Sequence, residues 1–509
     1  MVYLLLFPLS SFDVTLLPDA LCKSALQVFQ PMHSILLSLR LSINALISSL
    51  SDCFKILTSA LLILFANFLF AQTTNEPSTT ETKQYSSGMT FVEELQNILN
   101  QNNLEEAINL FNFLSPELKN DTNLQIIHAS LLLSANKTSQ AMTLTDELLA
   151  KNPDDIALLE LKANIAVAAN NSQVLKATVA QLLQKDSNNA TANIIKGNQY
   201  ALQKKYKLAA DYYKKALTND AENIEALFGF AKMSYYKGSL KDSQNYFSKV
   251  LELDPYHAET MAFLGKIHAE NENFLEATKY IQKAISLSPD NYDYYLDLGQ
   301  YQRSQGKYKL AEEAWTKAIE IDPNYFLAYT YRAGLYDEQN KFEQALQDYN
   351  KIIETNPKYY FSYEAMGILE FHQGLWAKAR KSFERANSIQ KNTSYQLMII
   401  ATYLKEKNLL EAKKYAQIAM KNLDKSSLDY LMIRLYHDQG GFNAENAVLK
   451  MLDKETNKTK RGKMMYYFAL YYDLKGMKQV ASEYYGKITQ MQTPMFFEYR
   501  LAEWGLKNE

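Results

Sequence analysis

Cysteine is nearly missing from this chain of 509 residues: it occurs twice, at Cys22 and Cys53, and never again. A disulfide framework and a multi-cysteine zinc site are thereby excluded, and the cysteine-free remainder suits an oxidising compartment. Glycine is scarce as well, with 16 residues where average usage is about 7%. An excess of one charge is also lacking, since 54 Lys and Arg face 56 Asp and Glu for a net charge of -2. A chain so balanced has no electrostatic footprint for nucleic acid or for an anionic membrane. The glycine-rich phosphate loops, the dinucleotide fingerprint, HExxH, GxSxG and CxxC are all absent, and with them the common enzyme signatures. His257 and His268, eleven apart, have no carboxylate partner in the pattern, so no metal and no cofactor is expected. What is abundant is tyrosine, at 36 residues; with little glycine, that composition predicts long helices packed through aromatic rings.

The first 71 residues differ in kind from the rest. Lys55 precedes an apolar run from Ile56 to Phe70, and Ala71-Gln72 follows it. One positive charge, about fifteen apolar residues and a small residue at the break are the layout of a secretory signal peptide. Cleavage between Ala71 and Gln72 is expected, which makes the mature protein exported and periplasmic; the alternative is a membrane anchor through residues 56–70. Residues 1–50 exceed what a signal peptide needs, so translation is expected to start downstream, at Met32 or Leu50. Residues 72–87 are rich in Thr, Ser and Glu and read as a flexible polar linker.

From residue 88 the chain repeats. Pro255, Pro289, Pro323 and Pro357 are 34 residues apart, and Pro153 lies three periods before Pro255. Ala209, Ala277, Ala311, Ala345 and Ala379 share a second phase; Gly197, Ala231, Gly265, Gly299, Ala333 and Gly367 share a third. Tyr213, Phe247, Ile281, Trp315, Tyr349 and Phe383 make a fourth, of large residues. A helical hairpin explains all four. Small residues at places eight and twenty let two helices cross closely, large ones at place twenty-four fill the space beside the crossing, and Gly238, Gly306, Gly374 or Asn340 stops the first helix. Proline ends the unit. No hairpin can bury its apolar face alone, so neighbours stack.

In these residues the chain resembles the tetratricopeptide repeat family. Tyr295, Leu298, Gly299, Tyr308, Ala311, Trp315, Ala318 and Pro323 follow its consensus in one unit. The resemblance implies an all-α fold, a right-handed α-solenoid of about twelve 34-residue helix-turn-helix repeats over residues 88–490, with 491–509 as a C-terminal capping helix. Leu175 and Glu445 depart from the alanine of place twenty.

Too few residues lie beyond the array to fold into an enzyme, so function is expected on a surface and no catalytic residue is assigned. Places two, five, nine and twelve of each first helix form one stripe, and the resemblance implies that it lines the concave groove. Its members are Phe228, Lys232, Tyr235, Lys266, Leu296, Gln300, Arg303, Leu327, Phe361, Glu364, Ile368 and Phe371. They read either as a wall for an extended peptide or partner helix, or as packing against the next repeat. The chaperone-tail clamp of one family subgroup is not matched, since Asn198 at place nine accompanies Ile194 at place five. Paired tyrosines such as Tyr212-Tyr213 and Tyr466-Tyr467 are expected to send one ring inward and one outward, and Lys454, Lys458, Lys460, Arg461 and Lys463 read as a basic loop. The function expected is a non-enzymatic scaffold or adaptor for protein or peptide partners, with no nucleic acid. The alternative is a structural part of a cell-envelope complex for secretion, outer-membrane assembly or a flagellar motor, reached through the ends and convex face. Membrane contact is expected only through an uncleaved leader or such a complex.

Overall fold

The computed structural model describes residues 84–491 and 496–507; the apolar run, the cleavage position Ala71-Gln72 and most of the linker lie outside the described residues. Among the described residues the structure is helical, with one isolated bridge between Tyr85 and Leu114 and no strand. No described helix is long and apolar enough to cross a membrane. The chain divides into two compact units, whose described parts are 84–263 and 264–507. Within each, consecutive helices pack in pairs and each pair packs on the next, the all-α solenoid expected from the repeat.

Twelve turns join first to second helices, and every one carries a positive φ at place fifteen: Asn102, Asn136, Asn170, Lys204, Gly238, Glu272, Gly306, Asn340, Gly374, Lys407, Gly440 and Gly476. The left-handed geometry ends one helix and lets the chain reverse. Lys204, Glu272 and Lys407 adopt it against their intrinsic preference, which the proline and alanine phases alone do not reveal. Place thirty-four holds a second periodic device. The side chains of Asp121, Asp155, Asn189 and Asn223 accept from the amides of Leu124, Leu158, Ala192 and Ala226 at 2.9–3.1 Å, capping successive first helices.

The core of each hairpin follows the phases with one change of reason. Ala209, Ala277, Ala311, Ala345 and Ala379 are fully buried, and Ser243 fits among them by donating to the Ala231 carbonyl at 2.9 Å. At Gly197, Gly299 and Gly367, however, place eight is kept small by the ring of place twenty-four, whereas Gly265 faces the backbone of the crossing helix: a Cβ on Gly299 would lie 2.3 Å from Trp315 Nε1. Glu445, in place of the usual alanine, accepts from the hydroxyls of Tyr471 and Tyr472 at 3.1 and 3.0 Å.

Three sequence expectations change here. Tyr85, inside the expected flexible linker, is buried and held by backbone hydrogen bonds to Phe113 and Ser115, both at 2.8 Å. Tyr466, Tyr467, Tyr471 and Tyr472 are all buried, so the one-in, one-out pattern fails along Lys458–Leu474, which is covered on several sides by other helices. The expected basic loop is largely the start of that helix, and two of its cations are engaged: Lys460 Nζ is 2.7 Å from Asp429 and Arg461 is 3.9 Å from Asp453.

Candidate partner-binding surface

In the unit 84–263 the stripe is built from the helix Ile224–Tyr236. Phe228 at place five is buried, its ring 5.6 Å from Phe247, 5.0 Å from His257 and 5.9 Å from Phe263. Lys232 at place nine lies half-buried over the rings of Phe228 and Phe263, at 5.4 and 5.3 Å. Its ammonium reaches Glu259, at place two of the following first helix, at 3.0 Å. One repeat earlier Asn198 donates to Glu225 at 3.2 Å, again from place nine to place two. Burial raises the Glu225 carboxyl above its ordinary value, and the Asn198 amide opposes the shift. Tyr235 at place twelve stands edge-on to Phe263 at 5.6 Å. These rungs hold aromatic and cationic groups in fixed positions at a half-exposed surface.

In the unit 264–507 Lys266 pairs with Asp297 at 2.6 Å and Arg303 with Glu338 at 2.8 Å. Leu296, Ile368 and Phe371 are buried between helices, whereas Gln300, Leu327 and Phe361 are half-buried. The Phe361 ring lies between those of Tyr360 and Tyr359, at 4.1 and 5.6 Å. Glu364 accepts from the Tyr395 hydroxyl at 2.5 Å. Burial pushes its carboxyl up to about 7, Glu498 adds to the shift, and Tyr395 and Lys463 oppose it. The expected stripe is therefore of two kinds. Phe228, Leu296, Ile368 and Phe371 are core residues with little surface to offer; the other eight are half-buried side chains, several fixed by pairing.

Sequence reading missed what lies on the stripe of this unit. The helix Glu498–Lys507 packs on Lys478–Thr489 and Lys458–Leu474 and reaches well beyond them. Arg500 donates to the Asp337 carboxylate and, at 2.9 Å, to the Asp337 carbonyl. Trp504 stacks on His372 at 3.9 Å and stands edge-on to Phe342 at 5.8 Å, and Phe497 lies 6.2 Å from Phe383 and 6.1 Å from Tyr395. Glu498 is fully buried and accepts from Tyr467 at 2.9 Å. A signal was present: Phe497, Arg500, Leu501 and Trp504 are spaced three and four apart, an apolar face with an arginine in it, richer than an end cap needs.

The tetratricopeptide repeat family model matches residues 161–224 and 264–326, and a second model of the same description matches 314–347. No curated protein matches the chain by sequence. Among solved structures the chain is similar to MamA, with 28% identity over 32% of this chain and 95% of that one at a TM-score of 0.29. It is also similar to YrrB, a tetratricopeptide protein with an unusual peptide-binding site, with 21% identity over 37% and 96% of the two chains at 0.31. A tetratricopeptide repeat protein from Parabacteroides merdae ATCC 43184 shows 20% identity over 48% and 97%, at a TM-score of 0.37. With these family matches, and twelve hairpin turns among the described residues of which the nine from Asn102 to Gly374 are in one 34-residue phase, the chain is a tetratricopeptide repeat protein.

Proposed function

We propose that this protein is an exported, non-enzymatic scaffold that binds protein or extended-peptide partners on the first-helix groove of its repeats. The observation that supports it best is the alternation along the stripe. Buried Phe228, Leu296, Ile368 and Phe371 anchor the helices, while Lys232, Tyr235, Gln300, Leu327 and Phe361 stay half-exposed and in part pre-positioned by neighbours. Side chains ordered before binding lose less entropy on docking, and several repeats acting together add avidity. The core members of the stripe are unsuitable for a test, because truncating a buried Phe costs several kcal/mol of stability. Replacing Lys232, Tyr235, Leu327 and Phe361 together with Ala is expected to abolish partner capture while helicity, read by circular dichroism, stays unchanged. Full capture by that variant would move the site elsewhere. Export is tested by the mature amino terminus, expected at Gln72.

A second reading, a fixed part of an envelope complex, is favoured by apolar side chains away from the stripe: Leu202, Leu410 and Ile418 are 75%, 65% and 70% exposed. Under that reading partners crosslink to these positions.

A further inference from the structure

The helix Glu498–Lys507 meets its unit in the manner of a bound segment. In a solenoid each repeat touches only its neighbours, yet Arg500 and Asp337 are 163 residues apart in sequence, with four hairpins between them. The side chains that make the long-range contacts are an arginine, a tryptophan and a phenylalanine, and arginine and tryptophan are among the types that dominate binding energy at interfaces. Arg500 is held at both ends of its planar group, its donors on Asp337 and its face 4.2 Å from the Trp504 ring. The surface they occupy is formed by three successive first helices, Phe326–Glu338, Tyr360–His372 and Thr393–Lys405, together with Phe342 and Phe383 of the second helices between them.

The occupant fits imperfectly. Glu498 is fully buried, and its Oε2 has no hydrogen-bond partner. It shares the site with the Glu364 carboxyl, which its charge pushes up, and Lys463 acts on both carboxyls in the opposite direction. Asp337 likewise keeps Oδ1 without a hydrogen-bond partner beside Arg500. Buried carboxylate oxygens left unpaired weaken a contact. A helix with the same anchors and a neutral group in place of Glu498 would suit this face better than the chain's own.

We propose that this face is the docking site for an amphipathic helix of a partner protein, bearing two adjacent aromatics, an arginine three residues on and a tryptophan four beyond that. The chain's C-terminal helix is the resident competitor that the partner displaces. The proposal rests on the reading of the first-helix face as the partner surface and narrows it to one place and one ligand chemistry. A tethered competitor acts at high effective concentration, so removing its anchors unmasks the site.

The probe is a fluorescein-labelled peptide of residues 495–507, titrated against the full chain and against the full chain carrying Arg500→Ala and Trp504→Ala. The expected result is binding at least tenfold tighter to the variant, tighter again for a peptide with Glu498→Gln, and lost when Asp337→Asn is added to the variant. Equal affinity for both chains, or binding to neither, overturns the proposal. Should the variant lose helicity, hydrogen exchange on the unmodified chain decides. Saturating peptide is expected to deprotect Glu498–Lys507 while Phe326–Lys405 stays protected, and unchanged protection of the helix overturns the proposal. A dimer of the unmodified chain by light scattering would assign the face to a second copy and overturn it too. Failure of the peptide alongside lost capture by the Lys232, Tyr235, Leu327 and Phe361 variant discards this inference and keeps the broader reading; full capture by that variant overturns the broader reading and this inference with it, whether or not the peptide binds.

Discussion

A Cβ on Gly299 would lie 2.3 Å from Trp315 Nε1, and the indole cannot retreat without breaking its 3.2 Å hydrogen bond to the Leu296 carbonyl. Gly197 and Gly367 face Tyr213 and Phe383 in the same way, at 2.7 and 2.9 Å. Where place twenty-four is Ile281, the Cβ of Gly265 would meet the Ala277 carbonyl at 3.3 Å, with Tyr280 Cβ and Ile281 N at ordinary contact distances of 3.6 and 3.7 Å. Gly299→Ala is therefore expected to cost about 2 kcal/mol through overpacking. Gly265→Ala is expected to be close to neutral, because the better helix propensity of alanine offsets the crowding. Urea titration of the two variants checks the difference. The same chemistry was half legible in the sequence. The phases marked both positions, but spacing alone could not show that a ring, rather than the neighbouring backbone, excludes the methyl group.

At the scale of an element, caps and carboxyls decide how firmly each helix is held. First helices are fastened by Asp121, Asp155, Asn189 and Asn223, a phase visible in the sequence once the repeat is known. The C-terminal helix is fastened differently, by packing on the last hairpin and by further contacts with distant repeats, and no local pattern announces the distant ones. Its seat is expected to depend on pH. Glu364 is raised to about 7 by burial, and Glu498 is raised by burial as well. The charged and titratable groups around them are Lys463, Tyr359, Tyr360, Tyr395, Tyr466 and Tyr467, with Ser394 donating to Glu498. A carboxyl whose pKa is higher folded than unfolded contributes stability that is fully present below the unfolded value and is lost as pH rises through the folded one. Protection of the Glu498–Lys507 amides, corrected for intrinsic exchange, is thus expected to fall between pH 6 and pH 8, and Glu364→Gln is expected to flatten the profile. A profile equally steep in both chains would contradict the assignment.

At the scale of the molecule, the repeat carried nearly all of the fold. Period, hairpin, turn position and departures such as Glu445 follow from spacing, because each repeat solves the same packing problem with its neighbours. The partner surface was legible only as a stripe. Which of its members sink into the core depends on how adjacent hairpins meet: Phe228 and Phe371 are buried, while Tyr235 and Phe361 stay half-exposed. The long-range contacts of Arg500 and Trp504 were not legible, since nothing local ties them to residues far back in the chain. Partner engagement through the first-helix stripe is what the proposed function requires. The most direct test places a photo-crosslinking residue at Tyr235, Leu327 or Ile418 in living cells and identifies the adducts by mass spectrometry. Partner adducts are expected at Tyr235 and Leu327 and none at Ile418; adducts at Ile418 with none on the stripe would place the partner surface away from the first helices.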